Sequence, residues 1–288
     1  MKAIKLHFKT SVRCGEAGLG LESVSEIIHS DTLFGAIANA LAILNEDIEE
    51  FVGKVRNAEL RLSSCYPFNG DTFYLPTPHL PFEGKMKRFI SLEKFETILS
   101  GADLRETEGE GEIESYKYEV PKVSLDRITG NSNIYYLSAL RFKDGAGMYF
   151  IVDGSLREVE TALRYLRDEG IGGKRTWGLG KFEYEICDFD IRTDGDYFVT
   201  LSLTYPTDPN SVKYWKPVVR GGWIQSKGAS YRKPKIIMAS EGSVFSREEG
   251  GEVIDLYEEI NLTSRTDHKV YVNGKSFLIP ATLEVESE

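Results

Sequence analysis

Apolar and polar positions alternate along residues 3–9, with Ile4, Leu6 and Phe8 on one face and Lys5, His7 and Lys9 on the other. That period of two predicts a half-buried strand. Residues 10–29, rich in Gly, Ser and Glu, predict a loop. Ser30 or Asp31 then offers a helix cap, and Leu33, Ile37, Leu41 and Leu44 follow at helical spacing. Ile48, Phe51, Val52 and Val55 predict a second short helix over about 46–56, and residues 59–65 a strand. Between Tyr66 and Phe82 the prolines Pro67, Pro76, Pro78 and Pro81 argue against any regular central element.

Residues 83–145 break the pattern. They hold a short helix through Leu92, Phe95 and Ile98, an acidic Gly-rich run at 101–114, a strand and turn at 121–130, and a hairpin partner at 134–142. This region reads as an insertion projecting from the first domain. Strand character returns at Gly147–Val152. Ser155 and Glu158 form a capping box, which opens a helix bearing Leu156, Val159, Leu163 and Leu166 and ending at Gly170. After a glycine-rich loop, residues 182–189 alternate again as a strand.

The order is βαββαβ, the ferredoxin-like unit, whose sheet keeps one face open once both helices pack on the other. Asp190–Asp196 is a polar linker. Short strands at 197–203, 235–239, 243–245, 270–272 and 276–279 make up a second half in which helices are hard to find. The expected fold class is α+β, with two ferredoxin-like (RRM-like) domains, the first at 1–190 with its insertion at about 83–145 and the second, degenerate one at 196–288.

A length of 288 residues suits two domains, and 41% hydrophobic with 28% charged residues excludes a disordered chain. No apolar run approaches a membrane span and the first residues lack a signal-peptide pattern, so a cytoplasmic protein is expected. Cys14, Cys65 and Cys187 lie far apart without zinc spacing, which predicts buried or half-buried thiols, no metal and no cofactor. The formal net charge of −10 opposes nucleic-acid binding, but its distribution does not. Between Asp208 and Glu241 there is no acid and there are seven bases, Lys213, Lys216, Arg220, Lys227, Arg232, Lys233 and Lys235. Segregation of this kind suggests one face for an anion and another for a different partner.

The sharpest local signal is the loop 170–180, with five glycines in eleven residues. Glycine lets backbone amides approach and cradle an anion; Lys174 and Arg175 add charge, and Trp177 offers a stacking face for a base. The Walker pattern fails, because Asp168 and Arg175 stand where it needs glycine and Ser/Thr. The loop also follows a helix where a dinucleotide fingerprint would open one. A second Gly/basic loop spans Arg220–Trp223 and Lys227–Lys233. Together they fit a single RNA strand laid along both domains, with cations on phosphates and aromatics near bases. Among four histidines, His29 stands beside Ser30 before the first helix, where it could face RNA or, as a general base, activate a ribose 2′-OH.

The loop 170–180, the segment Ser30–Ala36, the hairpin Val123–Gly130, Gly221–Trp223 and Glu241–Phe245 together resemble the RAMP superfamily of CRISPR proteins. More narrowly, they resemble its type III-A (Csm) subunits that cap the crRNA 5′ end. The resemblance implies two ferredoxin-like domains, a projecting thumb hairpin, binding of the crRNA 5′ tag, and contacts to the large polymerase-like subunit and to the backbone RAMP subunit. By position, Gly172, Gly173, Lys174, Arg175 and Trp177 match the family's glycine-rich loop, and Arg127 lies on the thumb. The expected RNA-binding set adds His29, Ser30, Arg220, Lys227, Arg232 and Lys233. The resemblance implies no catalysis. A repeat-cleaving endoribonuclease using His29, and a protein scaffold without RNA contact, stay open as alternatives.

Overall fold

The computed structural model describes residues 1–15, 20–82, 86–103, 113–226, 228–259, 266 and 268–283. Its first half runs β1 (Lys2–Phe8), α1 (Ser30–Ile43), α2 (Ile48–Arg56), β2 (Leu60–Leu62), β3 (Tyr66–Asn69), β4 (Thr72–Pro76), β5 (Phe89–Ser91), α3 (Leu92–Leu99), β6 (Ser115–Leu125), β7 (Ser132–Phe142), β8 (Ala146–Gly154), α4 (Arg157–Glu169) and β9 (Phe182–Asp188). The second half holds β10 (Tyr197–Thr200), β11 (Val212–Tyr214), β12 (Pro217–Arg220), β13 (Trp223–Ser226), β14 (Ala229–Arg232), β15 (Ile236–Ala239), β16 (Val244–Phe245), β17 (Gly251–Asp255), α5 (Leu256–Glu259), β18 (Tyr271–Lys275) and β19 (Leu278–Ala281).

The main sheet has the order β5-β4-β3-β8-β1-β9, with every pair antiparallel. Side-chain alternation sorts its residues onto two faces. Ile4, Leu6, Met148, Phe150 and Val152 meet the apolar faces of α1, α2 and α4. Ala3, Tyr149, Ile151, Tyr66 and Phe68 point the other way, into a second cluster with α3 and with Val199, Leu201, Val244 and Ile279 of the second half. The face expected to stay open is therefore covered. That explains the uninterrupted apolar run Met148–Val152, which serves both layers.

The second half repeats the strand order of the first. Its sheet reads β11-β16-β10-β19, all antiparallel. Counted in chain order within each set of four, β3-β8-β1-β9 of the main sheet and β11-β16-β10-β19 both run second, third, first, fourth, and β4 and β5 extend the first set at its β3 edge. In the second half, a single turn of 3-10 helix (Pro209–Ser211) and the ribbon β17–β18 with the four-residue α5 stand where the first half has its long helices. The two ribbons β12–β15 and β13–β14 stand between β11 and β16.

Four expectations change. The proline segment holds two real strands: Pro67 lies in β3 before its pairing with β4 begins at Phe68, and Pro76 is the last residue of β4. Among the described residues of the supposed insertion, β6–β7 alone stands out from the body, because β5 and α3 bury Phe89, Ile90, Phe95 and Ile98 in the shared core. Lys5, expected in solvent, is 8% exposed, with its Nζ 3.2 Å from Glu185 and about 5 Å from the Phe68 and Phe73 rings. The N-cap of α1 is His29, and neither Ser30 nor Asp31 caps it. Among the described residues, no helix is long and apolar enough to cross a membrane. The acidic run is described only at its ends, since 104–112 lie outside the described residues.

Candidate nucleic-acid interface

Residues 170–180 leave α4 through Gly170 at φ 88° and fold back onto the segment 11–14. The Gly180 amide donates to the Ser11 carbonyl at 2.8 Å, and the Gly173 amide to the Arg13 carbonyl at 2.7 Å. Gly172 sits at φ +91° with the Arg13 carbonyl oxygen 2.5 Å from where a Cβ would stand, so only glycine permits this approach. Gly172 and Gly173 thus seat the loop on its own chain, and the Gly173 amide is spent there. The following turn is different. Lys174 is left-handed at φ 60°, Arg175–Trp177 form a 3-10 turn, and among the described residues the amides of Lys174, Arg175 and Thr176 have no acceptor. Arg175, Thr176 and Trp177 are exposed.

The hairpin β6–β7 comes to this turn. Lys122 Nζ lies 5.3 Å from the Trp177 ring centroid, and Lys174 Nζ lies 4.5 Å from it. Two ammonium groups and an indole from separate elements form one cation–aromatic patch. Arg13 fixes the hairpin's root. Its guanidinium donates to the Ser138 carbonyl at 2.6 Å and to the Gly20 carbonyl at 3.2 Å, while Val12 exchanges backbone hydrogen bonds with Leu140. Arg127 is exposed in the turn that joins the strands, where Asp126 accepts from the Ile128 amide at 2.9 Å and the Thr129 hydroxyl at 2.7 Å.

The other sequence candidates separate. Ser30 is fully buried: its amide donates to Ser64 Oγ at 2.8 Å, and its hydroxyl accepts from the Leu203 amide at 3.0 Å. Ser30 is withdrawn as an RNA contact, because it ties the two halves together. Arg220 is withdrawn as well. It is 7% exposed, and its Nε and Nη2 each donate to the Asp31 carboxylate at 2.8 Å, with Nη2 also 2.9 Å from Thr32 Oγ1. Lys233 is half-buried beside Asp31 and Arg220, and burial lowers its pKa. Arg232 is exposed and stacks over the Trp223 ring, its cross-strand partner, at 5.2 Å. Arg220 ends β12, which pairs with β15, and Trp223 and Arg232 pair across β13–β14 with Lys233 just beyond, so the expected second glycine loop holds paired strands in the structure. Lys227 lies outside the described residues.

His29 is 8% exposed and holds Glu241 Oε1 2.8 Å from its Nδ1, with Ser64 Oγ donating to the same oxygen. Burial alone would raise the Glu241 pKa, but His29 and Ser64 hold the carboxyl down at about 2. His29 and Glu241 line an open cleft of about 450 Å³ between the halves. His79 also lines it, with Nε2 2.9 Å from Ser240 Oγ; burial and nearby Lys216 push its pKa down to about 4. Sequence reasoning missed Arg13, Lys122 and His79, and it named Lys216 only within the basic stretch and Glu241 only within the family resemblance, not as parts of one site. Their partners lie far along the chain, 161 residues away for His79 and 212 for Glu241, so no local motif announced them.

Burial raises the Cys14 pKa to about 12 and lifts that of Cys65 well above the ordinary thiol value, so both thiols are neutral. All three cysteines are free, and Cys187 is half-buried.

Comparison with known proteins agrees with this layout. Residues 5–183 match the RAMP superfamily, and residues 193–281 match the CRISPR Csm4 C-terminal domain. The CRISPR system Cms protein Csm4 of Thermococcus onnurineus (strain NA1) is 35% identical over 284 residues, covering 88% of this chain and 91% of that protein. A chain of the Csm1-Csm4 cassette crystallised with pppApA superposes at TM-score 0.69 with 26% identity, covering 98% of each chain. A chain of the Csm3-Csm4 subcomplex in the type III-A CRISPR-Cas interference complex shares the fold at TM-score 0.66 with 20% identity, covering 98% of this chain and 100% of that one. The two family matches meet near the junction between the halves and together run from residue 5 to residue 281, so the chain belongs to the Csm4 family of the RAMP superfamily of CRISPR proteins.

Proposed function

We propose that this chain is the non-catalytic subunit of a type III-A (Csm) effector complex that caps and holds the crRNA 5′ tag in antiviral defence. It bridges the large Csm1-type subunit to the Csm3-type backbone. Membership of the Csm4 family supports this, as does likeness to chains solved with Csm1 and with Csm3. The observation that carries the RNA reading is the turn Lys174–Trp177. It offers open amides, two cations and an exposed indole in one place, and the hairpin brings Lys122 to it. Unpaired RNA asks for that combination, cations along the backbone and a ring under a base.

The shared strand order of the two halves supports reading each as a ferredoxin-like unit, the second stripped of long helices, and β6–β7 as the thumb carrying Arg127. Gly172 and Gly173 shape the loop, while Lys174, Arg175, Trp177 and Arg232 meet the strand. The nuclease reading is weaker, because His29 is nearly buried and its Nδ1 is engaged by Glu241, whereas a general base must reach the hydroxyl it deprotonates. Replacing Lys174 and Arg175 together by alanine should weaken binding of crRNA carrying its 5′ tag. The dependence of log K on log salt should become shallower by about 0.7 per lost phosphate contact. A salt titration that gives the same slope for both proteins removes the loop from the interface.

A further inference from the structure

The second half carries an arm at the point where the first half carries β6–β7. Both insertions leave between the second and third strands of their four-strand set, after β3 in the first half and after β11 in the second. The pair β12–β15 is the root of the arm and β13–β14 its tip, and the Lys233 amide donates to the Gly222 carbonyl at 2.9 Å where the two meet. Pairing sorts the residues of the root onto two faces. Val218, Ile236 and Met238 turn inward and pack with Leu203, Ile254 and Val272. Pro217, Val219 and Ile237 turn outward. Val219 and Ile237 are direct cross-strand partners, 43% and 57% exposed, and Trp215, just before β12, is 45% exposed. Bare β-branched side chains on an outer strand face, with an open indole at its start, have the composition of an interface centre. Lys235, two residues before Ile237, is exposed, and among the described residues no carboxylate pairs with it. From Pro209 to Ser240 the chain has no acid at all. An apolar centre with a basic rim complements a surface that is apolar at its centre and acidic at its rim.

We propose that the outer face of this arm, centred on Trp215, Val219 and Ile237, docks the large Csm1-type subunit through an apolar surface with an acidic rim. This assignment rests on the bridging reading above and gives that contact one face of the chain. The extent of the family matches selects the large subunit over the backbone. The backbone subunit is itself a RAMP protein, and the superfamily match, 5–183, ends before the arm. The arm falls within 193–281, the part that matches the Csm4 C-terminal domain. A face confined to that part fits the partner that is not a RAMP protein. The inner face of the arm is packed on the core, so docking orders little that is not already ordered.

The test uses the full chain, the Csm1-type and Csm3-type subunits of the same organism, and single-stranded RNA bearing the 5′ tag. Ile237→Glu and, separately, Trp215→Ala should each weaken binding of the large subunit about tenfold, while Ile237→Val should bind as the parent does. Lys235→Glu should weaken it as well and make its salt dependence shallower. Binding of the Csm3-type subunit and of the RNA should be unchanged in all four variants, which also shows that they fold. A photoreactive residue at position 237 should attach to the large subunit. If the parent binds the large subunit and no variant binds it less tightly, the arm assignment falls and the bridging reading stands. If the variants lose the backbone subunit or the RNA instead, the face belongs to that ligand and the assignment is overturned. If the parent binds neither protein, both fall.

Discussion

Replacing Arg220 by alanine is expected to cost about 3–5 kcal/mol of stability, the largest effect of any single substitution considered for this chain. The guanidinium and the Asp31 carboxylate are 9% and 10% exposed and meet through two parallel hydrogen bonds of 2.8 Å. Removing the arginine leaves a carboxylate in the first turn of α1 without its bidentate partner, with Thr32 and the half-buried Lys233 as its remaining neighbours. Lysine cannot substitute, because a single ammonium does not reproduce the fork that serves Asp31 and Thr32 together. The double variant Asp31→Asn with Arg220→Met should recover much of the loss, since the cost comes from the stranded charge rather than from the absence of the pair. Urea denaturation at neutral pH reads both. An Arg220→Ala protein as stable as the parent would show that the pair is open to solvent, and would return Arg220 to the list of possible RNA contacts.

Acid should loosen the junction between the halves in two stages. His79 is held at a pKa of about 4, below the ordinary 6.5, by burial and by Lys216. Between those values the unfolded chain binds the proton and the folded chain does not, so stability is full above about pH 6.5 and is lost as pH falls toward 4. Glu241 is held at about 2, below the ordinary 4.5, so its contribution is present above 4.5 and disappears as pH falls toward 2. Displacements of this size correspond to roughly 3 kcal/mol for each group. The upper stage is the diagnostic one, because the lowered carboxylates elsewhere in the chain are ionised in both states there. Denaturation midpoints at pH 7, 5 and 3 should fall at each step, and His79→Gln should flatten the first step alone. A parent protein with equal midpoints at pH 7 and pH 5 would mean that His79 is not buried as described.

Much of the architecture was legible because its signals are local. The period of two in β1, the helical spacing in α1 and α3, and Gly170 closing α4 all depend on neighbours within a few residues. Pro67 misled because proline opposes a strand only where its missing amide is needed, and in β3 it precedes the pairing with β4. Lys174, Arg175 and Trp177 could be singled out as candidates because they adjoin in sequence. The misassignment of Arg220 and Ser30 has one cause. A cation or hydroxyl looks the same in sequence whether it faces solvent or a distant partner, 189 residues away for Arg220 and 173 for Ser30. Composition records charge, but burial decides whether that charge is already spent.

The layering of the main sheet carries a consequence for how this chain can be divided. Tyr66, Tyr149 and Ile151 are covered by Val199, Leu201 and Ile279, so the polar stretch between β9 and β10 joins two parts of one core. Severed there, each piece would bare an apolar sheet face, and the buried polar ties of His29, Ser30 and Asp31 would lose their acceptors or donors. The two pieces should act as complementing fragments, each aggregating when produced alone and reassembling when produced together.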